Sequence, residues 1–330
     1  MTHAMSTPPA AAAARSAGPA EPGPGPVAGT GAAAGPVAGD AARSAGLRVT
    51  AMNGAFGAEI TGVDLAALDD TGFAALAGIL RERRVLCVRG QAHLAPTRFL
   101  EFARRFGDVT PYPFGEPMEG VPEILRIIKE PSSKGNFGGV WHTDSPYHEI
   151  PPSHTVIMGI DIPEGGGDTL VADMRAAYEA LPQEVKDRIR DMDGIFTATR
   201  VHGSAGAGLE LGDVKRVADR KRADQEFRHP LVRTHPETGL PGLYVSACHM
   251  SGLAGLPADE AHSLIDYLAD HVVRDEFTAR IRWTRGTVAV LDNRCVQHKA
   301  LNDYPGRRRE IHRIQITDGR RPTRRGKVSP

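Results

Sequence analysis

The 330-residue sequence predicts a mainly β fold, a sandwich or barrel with helices packed on its outside. Three observations predict it. Candidate strands are short, and turn residues recur between them. Candidate helices cluster early and in the middle of the chain instead of alternating with strands, which argues against a parallel βαβ sheet. Neither GxGxxG nor GxxxxGK[ST] occurs, so no nucleotide-binding fingerprint supports a doubly wound alternative.

The elements follow in order. Leu47–Met52 and Glu59–Leu65 read as strands around the turn residues Asn53-Gly54. Asp69-Asp70-Thr71 offers acceptors at a helix start, and Phe73, Leu76, Ile79 and Leu80 recur at helical spacing. Val85–Val88 is a compact buried strand. Pro96–Phe106 is a second helix, with Pro96 in its first turn and Gly107 closing it. Ile124–Ile128 and His154–Asp161 read as core strands, the latter ending at Ile162-Pro163. Ala176–Leu181, Glu184–Ile189 and Pro257–Val272 are helical. Pro230–Thr234 and Leu243–Val245 flank the turn Glu237-Thr238-Gly239, and the chain returns to β at Phe277–Trp283, Thr287–Leu291 and Ile311–Ile316.

Residues 1–46 are mostly Ala, Gly, Pro and Ser and hold nothing that can bury a core, so a disordered tail is expected there. One domain is expected over 47–322, followed by a basic tail at 323–330. A hydrophobic content of 41% with 24% charged residues is that of a soluble globular chain. Lys plus Arg balances Asp plus Glu at 40 each, so the bulk charge draws the protein to neither nucleic acid nor membrane. The three cysteines, Cys87, Cys248 and Cys295, form no CxxC pair, which fits a reducing cytoplasm. No apolar run approaches the roughly 20 residues of a membrane span.

The segment Trp141-His142-Thr143-Asp144-Ser145 carries the chemistry. In an extended strand residues i and i+2 project together, so His142 and Asp144 can offer one ion an imidazole nitrogen and a carboxylate oxygen. His298, after a core strand and before a turn, is the best third ligand. Two histidines and one carboxylate leave coordination positions open, the arrangement of non-heme Fe(II) oxygenases. Zinc in a hydrolase uses the same ligand types. An HxD pair alone is weak evidence in a chain with 13 histidines, and its weight depends on what accompanies it.

What accompanies it resembles the taurine dioxygenase family of Fe(II)/2-oxoglutarate-dependent dioxygenases, over about Leu47 to Pro322. The anchors are Phe56-Gly57-Ala58-Glu59-Ile60-Thr61-Gly62-Val63-Asp64-Leu65, Arg105-Phe106-Gly107, Trp141-His142-Thr143-Asp144 and Gly166-Gly167-Asp168-Thr169-Leu170. His229 to Pro236, Gly242 to Val245, Gln297-His298 and Arg309 to Arg313 follow in the same order. The resemblance implies a double-stranded β-helix (jelly roll) and the cofactors Fe(II), 2-oxoglutarate and O2. It implies His142, Asp144 and His298 as iron ligands, and Thr169 and Arg309 as the grip on the distal carboxylate of 2-oxoglutarate. Arg313 matches the arginine that holds the substrate's acid group. Guanidinium suits both tasks, because it offers a carboxylate two parallel charge-assisted hydrogen bonds.

The reaction implied is oxidation of a small to mid-sized organic acid, a carboxylate, sulfonate or sulfate ester, with release of succinate and CO2. Hydroxylation is the leading outcome. Desaturation or epoxidation in natural-product tailoring uses the same site, and a non-oxygenase metal protein is the reading of another class, one with no use for Thr169 and Arg309. Family members are often dimers or tetramers, so self-association is also an expectation. The pattern departs from taurine dioxygenase where that enzyme binds taurine. Tyr112 replaces a histidine, Gly115 a tyrosine, and a glycine within 136–140 an asparagine. A roomier pocket is therefore expected, with Tyr112 and Arg313 as substrate-binding residues and 129–139 as a loop over the site.

Overall fold

A computed structural model describes residues 46–115, 117–202 and 223–324. The expected disordered tail, apart from Gly46, and residues 325–330 of the basic tail lie outside them. The first part of the chain holds β1 (Arg48–Asn53), β2 (Phe56–Thr61), α1 (Asp70–Arg83), β3 (Val85–Val88), α2 (Pro96–Arg104), β4 (Asp108–Thr110), β5 (Pro117–Met118) and β6 (Val121–Lys129). The middle holds β7 (His154–Asp161), β8 (Thr169–Asp173), α3 (Met174–Ala180), α4 (Gln183–Ile189), β9 (Asp193–Thr197), α5 (Thr199–His202), β10 (Glu226–Pro230), β11 (Val232–Thr234) and β12 (Pro241–Leu243). The last part holds β13 (Met250–Leu253), α6 (Ala258–Val272), β14 (Thr278–Ile281), β15 (Val288–Asp292), β16 (Val296–Ala300) and β17 (Arg309–Thr317).

The strands form the expected jelly roll. A large sheet runs β1-β2-β3-β15-β7-β17-β6-β5, with β4 also on β17, and a small sheet runs β14-β8-β16. Only β2 and β3 pair in parallel among these. Strand alternation divides the large sheet's side chains between two cores. Val85, Cys87, Leu125, Ile157, Leu291 and Ile311 meet Val171, Ile281 and Val296 of the small sheet. Leu86, Val88, Ile124, Val156, Val290 and Ile314 face the other way, onto α1 and α2. In the central strands β3, β7 and β15 nearly every residue is buried, so these strands read as continuous apolar runs. The site described below sits at the end of the inner core.

The helix signals act locally. Asp69 caps α1, its carboxylate accepting from Gly72 N at 2.7 Å, and Leu76, Ile79 and Leu80 are its buried stripe. Strands β8, β9, β13 and β16 escaped the sequence reading. Each is four or five residues long and gains its partners only from remote segments. The basic stretch near the C-terminus is tied to the body: Thr323 bridges Thr234, and Arg324 meets Asp193 at 2.6 Å.

Two buried histidines make the fold acid-sensitive. Burial pushes His154 down to about 4, against the opposing charge of Asp292, and Arg294 donates to its Nε2 at 3.1 Å. Burial, then Arg233, lowers His229 to about 4 as well. Below the ordinary histidine value near 6.5 the unfolded chain takes up protons that the folded chain refuses. The stability these residues contribute is complete above about 6.5 and falls away as pH drops toward 4, by on the order of 3 kcal/mol per histidine. Denaturant titrations at pH 7, 6 and 5 are expected to show it, and His229→Gln is expected to flatten the dependence. A profile flat over this range would refute it.

Candidate metal centre and its cavity

His142 and His298 face each other across a single antiparallel bridge. His142 N donates to His298 O at 3.0 Å, and His298 N to His142 O at 2.7 Å. Their rings therefore lie side by side, centroids 4.2 Å apart. Asp144 completes the group, its Oδ1 lying 3.6 Å from His142 Nε2 and 3.9 Å from His298 Nε2. The local geometry differs from the expected strand. Only His142 pairs, Asp144 lies in a bend, and Ser145 turns the chain at φ 45°. The carboxylate reaches the imidazoles because the backbone leaves the ladder after one bridge.

The surroundings prepare all three side chains to donate electron pairs. His142 Nδ1 lies 2.7 Å from Val140 O; a proton held there leaves Nε2 as the free lone pair. Burial, followed by the neighbouring His142, lowers His298 to about 3, so it is neutral at neutral pH. Burial opposes ionisation of Asp144, but Arg313, His298 and His142 outweigh it and hold the carboxyl well below its usual range. Thr155 Oγ1 donates to Asp144 Oδ2 at 2.5 Å, and Asn293 Nδ2 donates to Thr155 at 2.8 Å. This relay aims one oxygen at the imidazoles. The donor atoms all lie within 4.8 Å of one another, and His298 Nδ1 is buried without a hydrogen-bond partner among the described residues. The donor set fits a divalent iron. Gly138 permits the packing: at φ 76°, a Cβ there would lie 3.3 Å from His142 Cε1.

The other expected site residues fall into two groups. Thr169 starts β8, and its Oγ1 accepts from Trp283 Nε1 at 2.9 Å. Arg309 starts β17 and places its guanidinium 5.8 Å from the same Trp283 ring. Its Nε and Nη2, one edge of the guanidinium, are buried and unpartnered among the described residues. Farther along β17, Arg313 lies 4.8 Å over Tyr112 and 5.7 Å from Phe137, with Nη2 3.1 Å from Asp144 Oδ1.

A cavity of about 290 Å³ opens on His142 and Asp144, walled by Tyr112, Phe137, Tyr147, His202, His249 and Arg313. The phenol of Tyr112 is 2.8 Å from His202 Nε2. The expected gain in room at Gly115 does not occur. Leu125 fills the space, and a Cβ at Gly115 would collide with its Cδ1. The segment expected to be a loop over the site is a wall of it. Asn136 Nδ2 ties it to Ala300 O at 3.2 Å and Leu301 O at 3.1 Å.

Trp283, Thr155, His202 and His249 were not visible as site residues in the sequence. No motif surrounds them: Thr155 comes in on β7, Trp283 just after β14, His202 on α5 and His249 on the turn before β13. A second cluster with metal-binding side chains, His235, Asp292 and Cys295, is already satisfied. His235 Nδ1 accepts from Glu237 N and Thr238 N at 3.3 and 3.2 Å, and its Nε2 meets Asp292 at 2.9 Å. Arg294 takes both Asp292 oxygens at 2.8 Å.

Comparison with known proteins agrees with this geometry. The model of the family described as "Taurine catabolism dioxygenase TauD, TfdA family" matches residues 48–315. An alkylsulfatase of Acinetobacter baylyi is 32% identical over 272 residues, covering 82% of this chain and 84% of the relative. An alpha-ketoglutarate-dependent 2,4-dichlorophenoxyacetate dioxygenase of Cupriavidus pinatubonensis is 30% identical over 291 residues, covering 80% and 95%. The crystal structure of a taurine dioxygenase from Burkholderia xenovorans superposes with a TM-score of 0.70 at 30% identity, covering 84% of this chain and 96% of that one.

Proposed function

The chain belongs to the TauD/TfdA family, and we propose that it oxidises an organic acid at an iron held by His142, Asp144 and His298. It is an Fe(II)- and 2-oxoglutarate-dependent dioxygenase. With O2, the bound metal and 2-oxoglutarate supply the oxidising power, and 2-oxoglutarate leaves as succinate and CO2. The protein supplies position and electrostatics. Two imidazoles and an ionised carboxylate would hold the metal, and the Asn293–Thr155 relay keeps Asp144 from rotating.

One observation carries the co-substrate assignment: the buried, unpartnered Nε/Nη2 edge of Arg309. That edge accepts a carboxylate through two parallel hydrogen bonds. The Thr169 hydroxyl, which accepts from Trp283, keeps its own proton for the same carboxylate. Anaerobic addition of Fe(II) and 2-oxoglutarate should give a weak visible charge-transfer band, and admission of O2 should give succinate. Absence of both would overturn the assignment.

For the primary substrate we infer a mid-sized apolar acid: a carboxylate, sulfonate or sulfate ester. The aromatic wall of Tyr112, Phe137 and Tyr147 favours an apolar body, and Arg313 supplies the cation for the acid group. Relatives named as alkylsulfatase, sulfate ester dioxygenase and 2,4-dichlorophenoxyacetate dioxygenase point the same way. Arg313→Ala should raise KM for such a substrate roughly thirtyfold or more, the effect of removing one partner of a buried charge pair. An unchanged KM would eliminate the acid-substrate reading. The free thiols of Cys87, Cys248 and Cys295 support a reducing, cytoplasmic setting. Among the described residues, no helix is long and apolar enough to cross a membrane.

A further inference from the structure

Lys129 ends β6 and is only 5% exposed. It is the register partner of Arg309 on β17. Directly paired residues of antiparallel strands project from the same face, so the two side chains leave the sheet on one side. They share a neighbour. Lys129 Nζ lies 4.2 Å from the centre of the Tyr304 ring. Arg309 Cδ and Tyr304 Cδ1 converge on Gly167, at 3.0 and 3.3 Å from the Cβ that residue lacks.

Neither cation has a carboxylate of its own among the described residues. The acids around them are committed elsewhere. Glu310 pairs with Arg126 at 2.9 Å and Arg308 at 2.6 Å, Glu130 lies 3.5 Å from Arg308, and Asp168 meets Arg280 at 2.7 Å. Asp303 accepts from Gly167 N at 2.6 Å. Among the described residues Lys129 Nζ donates one hydrogen bond, to Asn302 Oδ1 at 2.7 Å, and an ammonium carries three donors. Arg309 is desolvated, with only the Tyr304 phenol and the charges of Asp168 and Asp303 to offset its burial, and an anion held between it and Lys129 would relieve that cost for both.

We propose that Lys129 joins Arg309 in gripping the distal carboxylate of 2-oxoglutarate, forming a two-cation clamp that selects a dicarboxylate co-substrate. This rests on the reading of Arg309 given above. The guanidinium edge takes the carboxylate through two hydrogen bonds, and the ammonium adds a charge from the neighbouring strand. The selectivity concerns only the far end of the co-substrate. 2-Oxobutyrate keeps the 2-oxo acid group and lacks the distal carboxylate.

The test is anaerobic titration of the ferrous enzyme with 2-oxoglutarate and with 2-oxobutyrate, read by visible absorption and by calorimetry. Lys129→Met should weaken 2-oxoglutarate roughly tenfold, the usual size of one charged hydrogen bond, and leave 2-oxobutyrate unchanged. Lys129→Arg, which keeps the charge, should retain most of the discrimination. Equal weakening of both acids by Lys129→Met would mean that Lys129 only supports Asn302 and the cavity rim. No change in either would exclude contact. Either result overturns the clamp. Arg309→Met separates the two levels: if it leaves 2-oxoglutarate binding intact, the assignment of Arg309 fails whatever Lys129 does.

Discussion

Asp144→Ala is expected to abolish both metal retention and turnover. The substitution removes the only carboxylate of the donor set, leaving two imidazoles that hold their relative position through the His142–His298 bridge. It also removes the carboxylate nearest to Arg313, so a guanidinium remains against the site with its positive charge unopposed. Both effects disfavour a dication. Loss of a residue that merely orients a ligand lowers metal affinity by about 10–100-fold, so loss of the ligand itself should exceed about a hundredfold. Iron content after desalting and succinate release are the measurements. Asn293→Ala provides the scale, since it loosens Asp144 through Thr155 without removing it and should fall inside the smaller range. A variant Asp144→Ala that keeps a full equivalent of iron would refute the donor set.

The largest effect on stability is expected at Arg294. Its guanidinium is 3% exposed on its side chain and meets Asp292 twice at 2.8 Å, Glu237 at 2.6 Å and Asp318 at 3.2 Å. The carboxyl of Asp292 is desolvated, yet Arg294 and His235 hold it well below the usual carboxylate range. Arg294→Met would leave the buried Asp292 with His235 and the backbone N–H of residue 294 as partners, and without its cation. Breaking a buried pair from one side costs about 3–5 kcal/mol. For a domain of this size that lowers the unfolding midpoint by on the order of 10 °C. The double variant Arg294→Met with Asp292→Asn should recover part of the loss, because the uncompensated charge is gone. Additive losses in the double variant would show that the two side chains do not act as a pair. The network sits directly behind the donor set: Asn293, between Asp292 and Arg294 in sequence, starts the relay to Asp144.

Much of this was legible without coordinates, and the reason differs from residue to residue. Strands β3 and β7 were bounded correctly because each is a compact apolar run that ends at a polar or turn residue. Helix α1 was legible from Asp69 and its helical apolar spacing. The short strands β8 and β16 were not. Their residues acquire hydrogen-bond partners only through each other and β14, and five residues show too little periodicity to declare a strand. The HxD pair was legible in type but not in geometry, since a single bridge and a bend bring its side chains together in place of a strand.

The sequence by itself predicted the mainly β class from local pattern, and its family resemblance added the His142–Asp144–His298 set and the arginines of β17 as expectations; the three metal-binding side chains do come together. Only the tertiary structure decided the rest. It paired Lys129 with Arg309 across β6 and β17, set Trp283 against Thr169 and near Arg309, and put Leu125 where Gly115 promised space. It also closed Asp292 into a salt-bridge network instead of a metal site. The physical reason is common to all four. Each depends on which side chains the folded backbone brings into contact, through strand register at Lys129 and Arg309 and through loops and turns elsewhere, and composition does not state that.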